Sequence, residues 1–198
     1  MQVNLKSLVG KLNDTCRTTL EAAAGLCLSR TNYNVEVEHW LAKLVEVPNN
    51  DIAAILRHFE IDNSRLAGDL TTAIDRKKTG NADAPALSPN IVQLVRESWL
   101  IASVEFSAGR ARSGHLLCAL LADDSLSRMA ETISPELSKI SVDSLRHDLV
   151  NIIANSAESD GEVGEDTPRT TSQPDGAVPG APGLAQFTID LTDRARSG

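Results

Sequence analysis

Glu38-His39-Trp40-Leu41-Ala42-Lys43-Leu44-Val45 returns later in the chain as Gly114-His115-Leu116-Leu117-Cys118-Ala119-Leu120-Leu121. His115 minus His39 is 76, and the same spacer pairs Glu21 with Glu97, Leu41 with Leu117, Leu44 with Leu120 and Leu66 with Val142. One spacer serving so many positions marks an internal duplication. The two copies, 13–78 and 88–154, each read as four helices. The motif lies on a short apolar helix at the centre of each copy, which the other helices must cover.

Working outward from the motif, punctuation gives the first copy its shape. Asn13 and Asp14 are good caps for a helix running to about Ser29, with Cys16, Leu20, Ala23, Ala24 and Cys27 along one side. After the polar break Arg30-Thr-Asn-Tyr-Asn34, the motif helix begins near Glu36. It stops at Pro48, because the residue ahead of a proline is disfavoured in the helical region. Asn49 or Asn50 then caps a helix from Ile52 to Phe59, and Asp62 or Asn63 opens a fourth carrying Leu66, Leu70, Ala73 and Ile74. Residues 79–87 form a connecting loop. Ser88-Pro89 places a capping serine before a proline, a strong helix start. The second copy is expected to follow in the same order: Ile91 to Ser107, Ser113 to Ala122, Asp124 to Ile133 and Val142 to Ala154, with Ser141 capping the last.

Three stretches stand outside the copies. Residues 1–12 carry Leu5, Leu8, Val9 and Leu12 at helical spacing, so an extra N-terminal helix is expected there. So short a helix is not stable alone and must dock on something. Residues 155–183 are rich in Ser, Asp, Glu, Gly, Pro and Thr and hold almost nothing to bury, the composition of a disordered acidic linker. Residues 184–198, Leu-Ala-Gln-Phe-Thr-Ile-Asp-Leu onward, are amphipathic again and read as the lead-in to a further domain.

Charge and cysteine usage narrow the function classes. The net charge is -8, and no basic stripe with interleaved aromatics exists to neutralise phosphates, which argues against nucleic-acid binding. Cys16, Cys27 and Cys118 are odd in number and lack CxxC spacing, so neither a disulfide framework nor a zinc site is indicated. No apolar run approaches membrane-spanning length, and the N-terminus lacks the layout of a signal peptide. A cytoplasmic location is expected.

The chemistry-bearing residues point away from catalysis. No P-loop, GxSxG, HExxH or GxGxxG pattern is present. His39 and His115 are equivalent under the repeat, which favours a structural role at the start of the motif helix over catalysis or metal binding. Glu36 and Glu38 could be imagined as a catalytic carboxylate pair in a small helical hydrolase. Side chains two apart on a helix point in nearly opposite directions, so the pair does not converge. Trp40 aligns with Leu116 and Trp99 with Ala23. Trp40 is expected in the core, and Trp99 is expected to fill space that alanine leaves in the first copy.

A duplicated four-helix unit with a Glu-His-x-Leu-x-x-Leu core helix resembles the Clp N-terminal domain family, which precedes the ATPase modules of Clp/Hsp AAA+ unfoldases. The resemblance covers residues 13 to about 154. Leu5-Lys-Ser-Leu-Val-Gly-Lys-Leu-Asn13, Cys16-Arg17, Leu20-Glu-Ala-Ala-Ala-Gly-Leu-Cys27, Glu97-Ser-Trp-Leu-Ile-Ala-Ser103 and Arg112-Ser-Gly-His-Leu-Leu117 are similar to the ClpV branch of type VI secretion. Phe187-Thr-x-Asp-Leu-Thr-x-x-Ala-Arg-x-Gly is similar to the lead-in of the first ATPase module.

The resemblance implies an all-α, pseudo-two-fold double Clp N-domain with an extra N-terminal helix, acting by substrate recognition and not as an enzyme. It implies no cofactor in this chain, ATP and Mg being held by ATPase modules of the parent. The implied partner is the large sheath protein of the type VI secretion system, bound through an N-terminal peptide helix; nucleic acid and membrane are not expected partners. The isolated domain is expected to be monomeric and the parent hexameric. Apolar spacing assigns the partner groove to Leu5, Leu8, Val9 and Leu12 on one wall, with Leu145, Leu149 and Ile152 of the last helix opposite. The alternative is the N domain of a general Clp disaggregase or protease partner, binding hydrophobic segments or an adaptor.

Overall fold

The computed structural model describes residues 5–159, Leu5 by its backbone alone. Expectations for residues 160–198, and for the Leu5 side chain, fall outside the described residues. Within them the chain is helical apart from a two-stranded pair: α1 (Leu5–Val9), α2 (Asp14–Ser29), β1 (Asn34–Val35), α3 (Val37–Glu46), α4 (Asp51–His58), α5 (Asn63–Asp75), β2 (Ala86–Leu87), α6 (Pro89–Val104), α7 (Ser113–Ala122), α8 (Asp124–Ile133) and α9 (Val142–Ile153).

Six of these helices start where a polar side chain can take up an otherwise unpaired amide. Asn13 accepts from the Cys16 amide at 2.9 Å, Asn50 from Ala53 at 2.8 Å and Asp62 from Ser64 and Arg65 at 3.0 Å. Ser88, Asp123 and Ser141 do the same for α6, α8 and α9. All of these caps except Asp123 are among the residues that the sequence names. The motif helices α3 and α7 are capped differently, by their histidines.

Packing joins the two copies into one core. In the first copy α3 lies between α2 and α5, and in the second α7 lies among α6, α8 and α9. Helix α4, although it belongs to the first copy, packs chiefly on α7 and α9 of the second. β1 and β2 pair in parallel with Asn34 opposite Ala86 and Val35 opposite Leu87. Leu12 makes the counterpart bridge to Ala111, with the Asn13 amide donating to the Ala111 carbonyl at 2.9 Å and the Ala111 amide to Lys11 at 2.8 Å. Each copy thus threads a short extended piece beside the start of the other's first long helix.

The single spacer of 76 holds for the motif helices but not for the whole repeat. Buried Cys16, Thr19, Leu20, Ala23 and Cys27 of α2 correspond to buried Ile91, Leu94, Val95, Ser98 and Ala102 of α6, and Ile91 minus Cys16 is 75. Leu66, Leu70 and Ile74 of α5 correspond to Leu145, Leu149 and Ile153 of α9, and Leu145 minus Leu66 is 79. Leu66 therefore matches Leu145, not Val142, and Trp99 stands against Ala24, not Ala23. Loops absorb the difference. Residues 134–141, with a 3-10 turn at Leu137–Lys139, separate α8 from α9, whereas only residues 59–62 separate α4 from α5. What is kept between copies is the buried face of each helix, because burial sets its register.

The expected linker from residue 155 also begins too early. Residues 155–159 belong to the packed body: Ser156 and Glu158 are buried, and the Ala157 amide donates to the Asn49 carbonyl at 2.8 Å. Composition missed them because what anchors them is polar, and a search for apolar residues does not see it.

Candidate functional site

The repeated histidines are caps. The Glu36 amide donates to His39 Nδ1 at 3.1 Å, and the Arg112 amide to His115 Nδ1 at 3.1 Å. Each histidine sits at the third helical position and reaches back over the first turn. With Nδ1 accepting, the remaining proton of His39 lies on Nε2, 3.0 Å from Asn32 Oδ1. Protonation of Nδ1 would break the cap. Burial, then the positive charge of Arg112, push His115 down to about 4, and burial holds His39 below its ordinary value.

That depression fixes a pH dependence. In the unfolded chain a histidine titrates near 6.5, whereas folded His115 stays neutral to about pH 4. Between those values the unfolded state binds the extra proton, so stability is full above about pH 6.5 and falls as the pH drops toward 4. By pH 5 the loss from His115 is expected to be on the order of 2 kcal/mol. Urea midpoints measured from pH 7 to 4 check this: the slope between pH 6.5 and 4.5 is expected to flatten in His115→Gln, and an equal slope in both proteins contradicts it.

Gly114 stands where the first copy has Glu38, and the structure gives the reason. A Cβ at Gly114 would lie 3.2 Å from Asp51 Cβ and Oδ2 and 3.3 Å from Leu149 Cδ1. Asp51 needs that space. It is fully buried and takes a forked pair of bonds from Arg112, Nε to Oδ2 at 2.9 Å and Nη2 to Oδ1 at 2.6 Å, with the Gly114 amide at 3.3 Å. Ser156 Oγ also donates to Asp51, and Glu158 lies alongside. This polar centre joins α4 of one copy to α7 of the other, and sequence reasoning did not find it. Its signal was faint: a glycine inside an otherwise bulky motif helix.

The thiols are structural. Cys16, Cys27 and Cys118 are all buried and free. Burial pushes Cys118 up to about 12 and Cys16 well above its ordinary value. Neither supplies a thiolate nucleophile near neutrality.

The residues assigned to a partner groove take several positions. Leu12, Leu145 and Leu149 are completely buried and Leu8 nearly so, while Val9 and Ile152 are partly exposed. Helix α1 rests on α6, with Lys11 Nζ 4.8 Å from the centre of the Trp99 ring. Leu12, Leu145 and Leu149 belong to the common core and hold α1 and α9 in place from within. Side chains so placed meet an incoming helix only if the core opens. Open apolar side chains on α6 and α9 lie outside that set: Leu100 at 47% and Val104 at 76% exposure on α6, and Val150 at 62% on α9. Leu100 and Val104 border a hollow of about 380 Å³ floored by Ile101, Ala119 and Ala122 and edged by the Glu105–Arg146 ion pair. A second hollow, of about 320 Å³, lies between Phe106, His115, Val150 and Ile153. No cluster suited to a metal ion occurs among the described residues. None of the helices among them is long and apolar enough to cross a membrane.

Residues 11–134 match the Clp repeat (R) N-terminal domain. The chain belongs to the Clp N-terminal domain family. Among curated Clp proteins, it is 34% identical over its whole length to the AAA+ ATPase ClpV1 of Pseudomonas aeruginosa, covering 23% of that protein. It is also 34% identical to the chaperone protein ClpB of Yersinia enterocolitica, again over the whole chain and 23% of that protein. The chain thus spans about a quarter of the length of the curated relatives it matches. Among solved structures it is similar to a complex of the ClpV N-domain with a VipB peptide, with a TM-score of 0.67 and 29% identity over 80% of this chain and 96% of that one. A Clp N-terminal domain is a substrate-binding domain and not a catalytic ATPase module. Histidines used as caps, thiols used as packing and open apolar surface on α6 and α9 agree with that role.

Proposed function

We propose that this chain is the substrate-recognition domain of a ClpV-type AAA+ unfoldase. Its partner is an N-terminal helix of the large sheath subunit of the type VI secretion system, bound so that the contracted sheath can be disassembled and recycled. The likeness to the ClpV N-domain in complex with a VipB peptide, over nearly all of that chain, carries the reading. ATP and Mg belong to ATPase modules of the parent protein, and this chain holds neither.

The partner helix runs along α1. Of the groove residues proposed from spacing, Val9 and Ile152 meet the partner directly, and Leu8, Leu12, Leu145 and Leu149 fix the elements that present them. Leu5 belongs to the same α1 surface by its spacing.

This arrangement decides how to test the site. Deleting residues 1–12 would strip Leu8 and Leu12 from the core and would confuse loss of binding with loss of fold. Val9→Asp leaves the buried leucines in place. Calorimetric titration with a peptide from the N-terminus of the cognate large sheath subunit is expected to show binding weakened at least tenfold in Val9→Asp, with unchanged helicity. Binding equal to that of the unaltered chain would move the site away from α1. The equal identity to a ClpB chaperone supports a second reading, in which the duplicated body binds exposed hydrophobic segments of many proteins. That reading expects unfolded polypeptide to bind, and Val9→Asp to bind it equally well.

A further inference from the structure

After α9 the chain turns back on itself and inserts one carboxylate between the two copies. Glu158 Oε1 accepts from the Asp51 amide at 3.0 Å and from Ser113 Oγ. Glu158 Oε2 accepts from the Ser113 amide at 3.0 Å and from Asn13 Nδ2 at 2.6 Å. Asp51 and Ser113 are the first residues of α4 and α7, and Asn13 is the N-cap of α2, immediately after the short bridge that follows α1. One side chain therefore serves amides at the start of one helix from each copy, and the capping residue of a third. Helix N-termini carry partial positive charge, which suits a buried carboxylate. Among the described residues Asp51 and Glu158 share this space with the guanidinium of Arg112, and the amides of α4 and α7 add to its positive charge.

What holds the segment is almost wholly polar. Ser156 Oγ lies 2.9 Å from Arg112 Nη2, Ser159 Oγ lies 3.1 Å from it, and the Ala157 side chain is exposed. Lifting residues 155–159 would expose little apolar surface, and water can replace each lost bond. Regions fastened in this way open at lower free energy than the core. Because a single carboxylate serves all four donors, they are lost together.

We propose that residues 155–159 are a clasp, which opens and closes as one unit with the first turns of α4 and α7 and with Asn13 at the base of α1. Closed, it holds residues 155–159 against both copies, beside the seat of α1. Open, it frees the junction between the copies. A displacement of Glu158 is thereby felt first at Asn13, Asp51 and Ser113.

Native-state hydrogen exchange on the whole 198-residue chain, followed by NMR through a series of low urea concentrations, tests the device. The amides of Asp51, Ser113 and Ala157 are expected to share one opening free energy below that of Leu70 and Leu126. Exchange of these three only through global unfolding, or through openings of different size, overturns the proposal. In Glu158→Gln the same three amides are expected to exchange at least tenfold faster, with Leu70 and Leu126 within twofold of their former rates. Unchanged rates at Asp51 and Ser113, or a uniform acceleration everywhere, would make Glu158 an ordinary stabilising residue and sink the clasp. Should Glu158→Gln not fold, the urea series on the unaltered chain decides.

Discussion

Replacing Arg112 by alanine is expected to remove about 3–5 kcal/mol of folding stability, measured as a fall in the urea unfolding midpoint at constant slope. Among the described residues Arg112 is the one cation bonded to Asp51, which is completely buried, and it bonds Ser156 as well. Alanine leaves the carboxylates of Asp51 and Glu158 together in a buried space with neutral amide and hydroxyl donors in place of the guanidinium. Removing one partner of a buried pair costs far more than the pair contributes, because the survivor keeps its desolvation penalty. Against a typical total of 5–15 kcal/mol, such a loss brings the domain close to unfolding at ambient temperature. The double change Asp51→Ala with Arg112→Ala is expected to cost clearly less than the sum of the single changes, since it removes the stranded charge with its partner. Additive losses would show that Asp51 and Arg112 act independently, and the polar centre would lose its standing as a unit.

Trp40→Ala is expected to cost a similar amount, about 3–5 kcal/mol, for a different reason. The indole is 1% exposed, and its Nε1 donates to Thr19 Oγ1 at 3.1 Å across the α2–α3 contact. Alanine there leaves a large cavity and a buried hydroxyl that has lost its donor. Trp40→Leu, which installs the residue found at the equivalent Leu116, is expected to recover roughly half of the loss by refilling most of the volume without restoring the hydrogen bond. Thermal unfolding of both variants checks this. A loss under about 1 kcal/mol for Trp40→Ala would mean that α2 collapses onto α3 and refills the space.

Much of the fold was legible because its signals are local. Asn13, Asn50, Asp62, Ser88 and Ser141 announce helix starts through their own side chains, and each caps the helix expected of it. The duplication was legible from the motif helices, in which His39, Leu41 and Leu44 return as His115, Leu117 and Leu120, all buried. The register of the flanking helices was less legible. A spacer fitted to α3 and α7 slips by one residue at α2 and α6 and by three at α5 and α9, where loop lengths differ.

The candidate site was legible only in outline. Spacing identified Leu8, Leu12, Leu145 and Leu149 as apolar positions, but helical periodicity marks every buried face alike. It does not distinguish a groove wall from a core layer. Leu100, Val104 and Val150 are open because nothing described packs over them, a fact of arrangement that no spacing reports.

By itself, then, the sequence determined the all-helical class, the doubling of one four-helix unit and most of the capping residues. Each of these rests on neighbours in the chain or on a repeated pattern. Only the tertiary structure decided that α4 packs into the other copy, that Gly114 makes room for Asp51, and that Glu158 returns to close the junction. Those facts join residues separated by 45 to 145 positions, Ser113 to Glu158 at one extreme and Asn13 to Glu158 at the other. Their partners are polar groups that become strong only when water is excluded from around them. Nothing within a few residues of Glu158 shows that its carboxylate is buried, and the packing of the described helices makes it so.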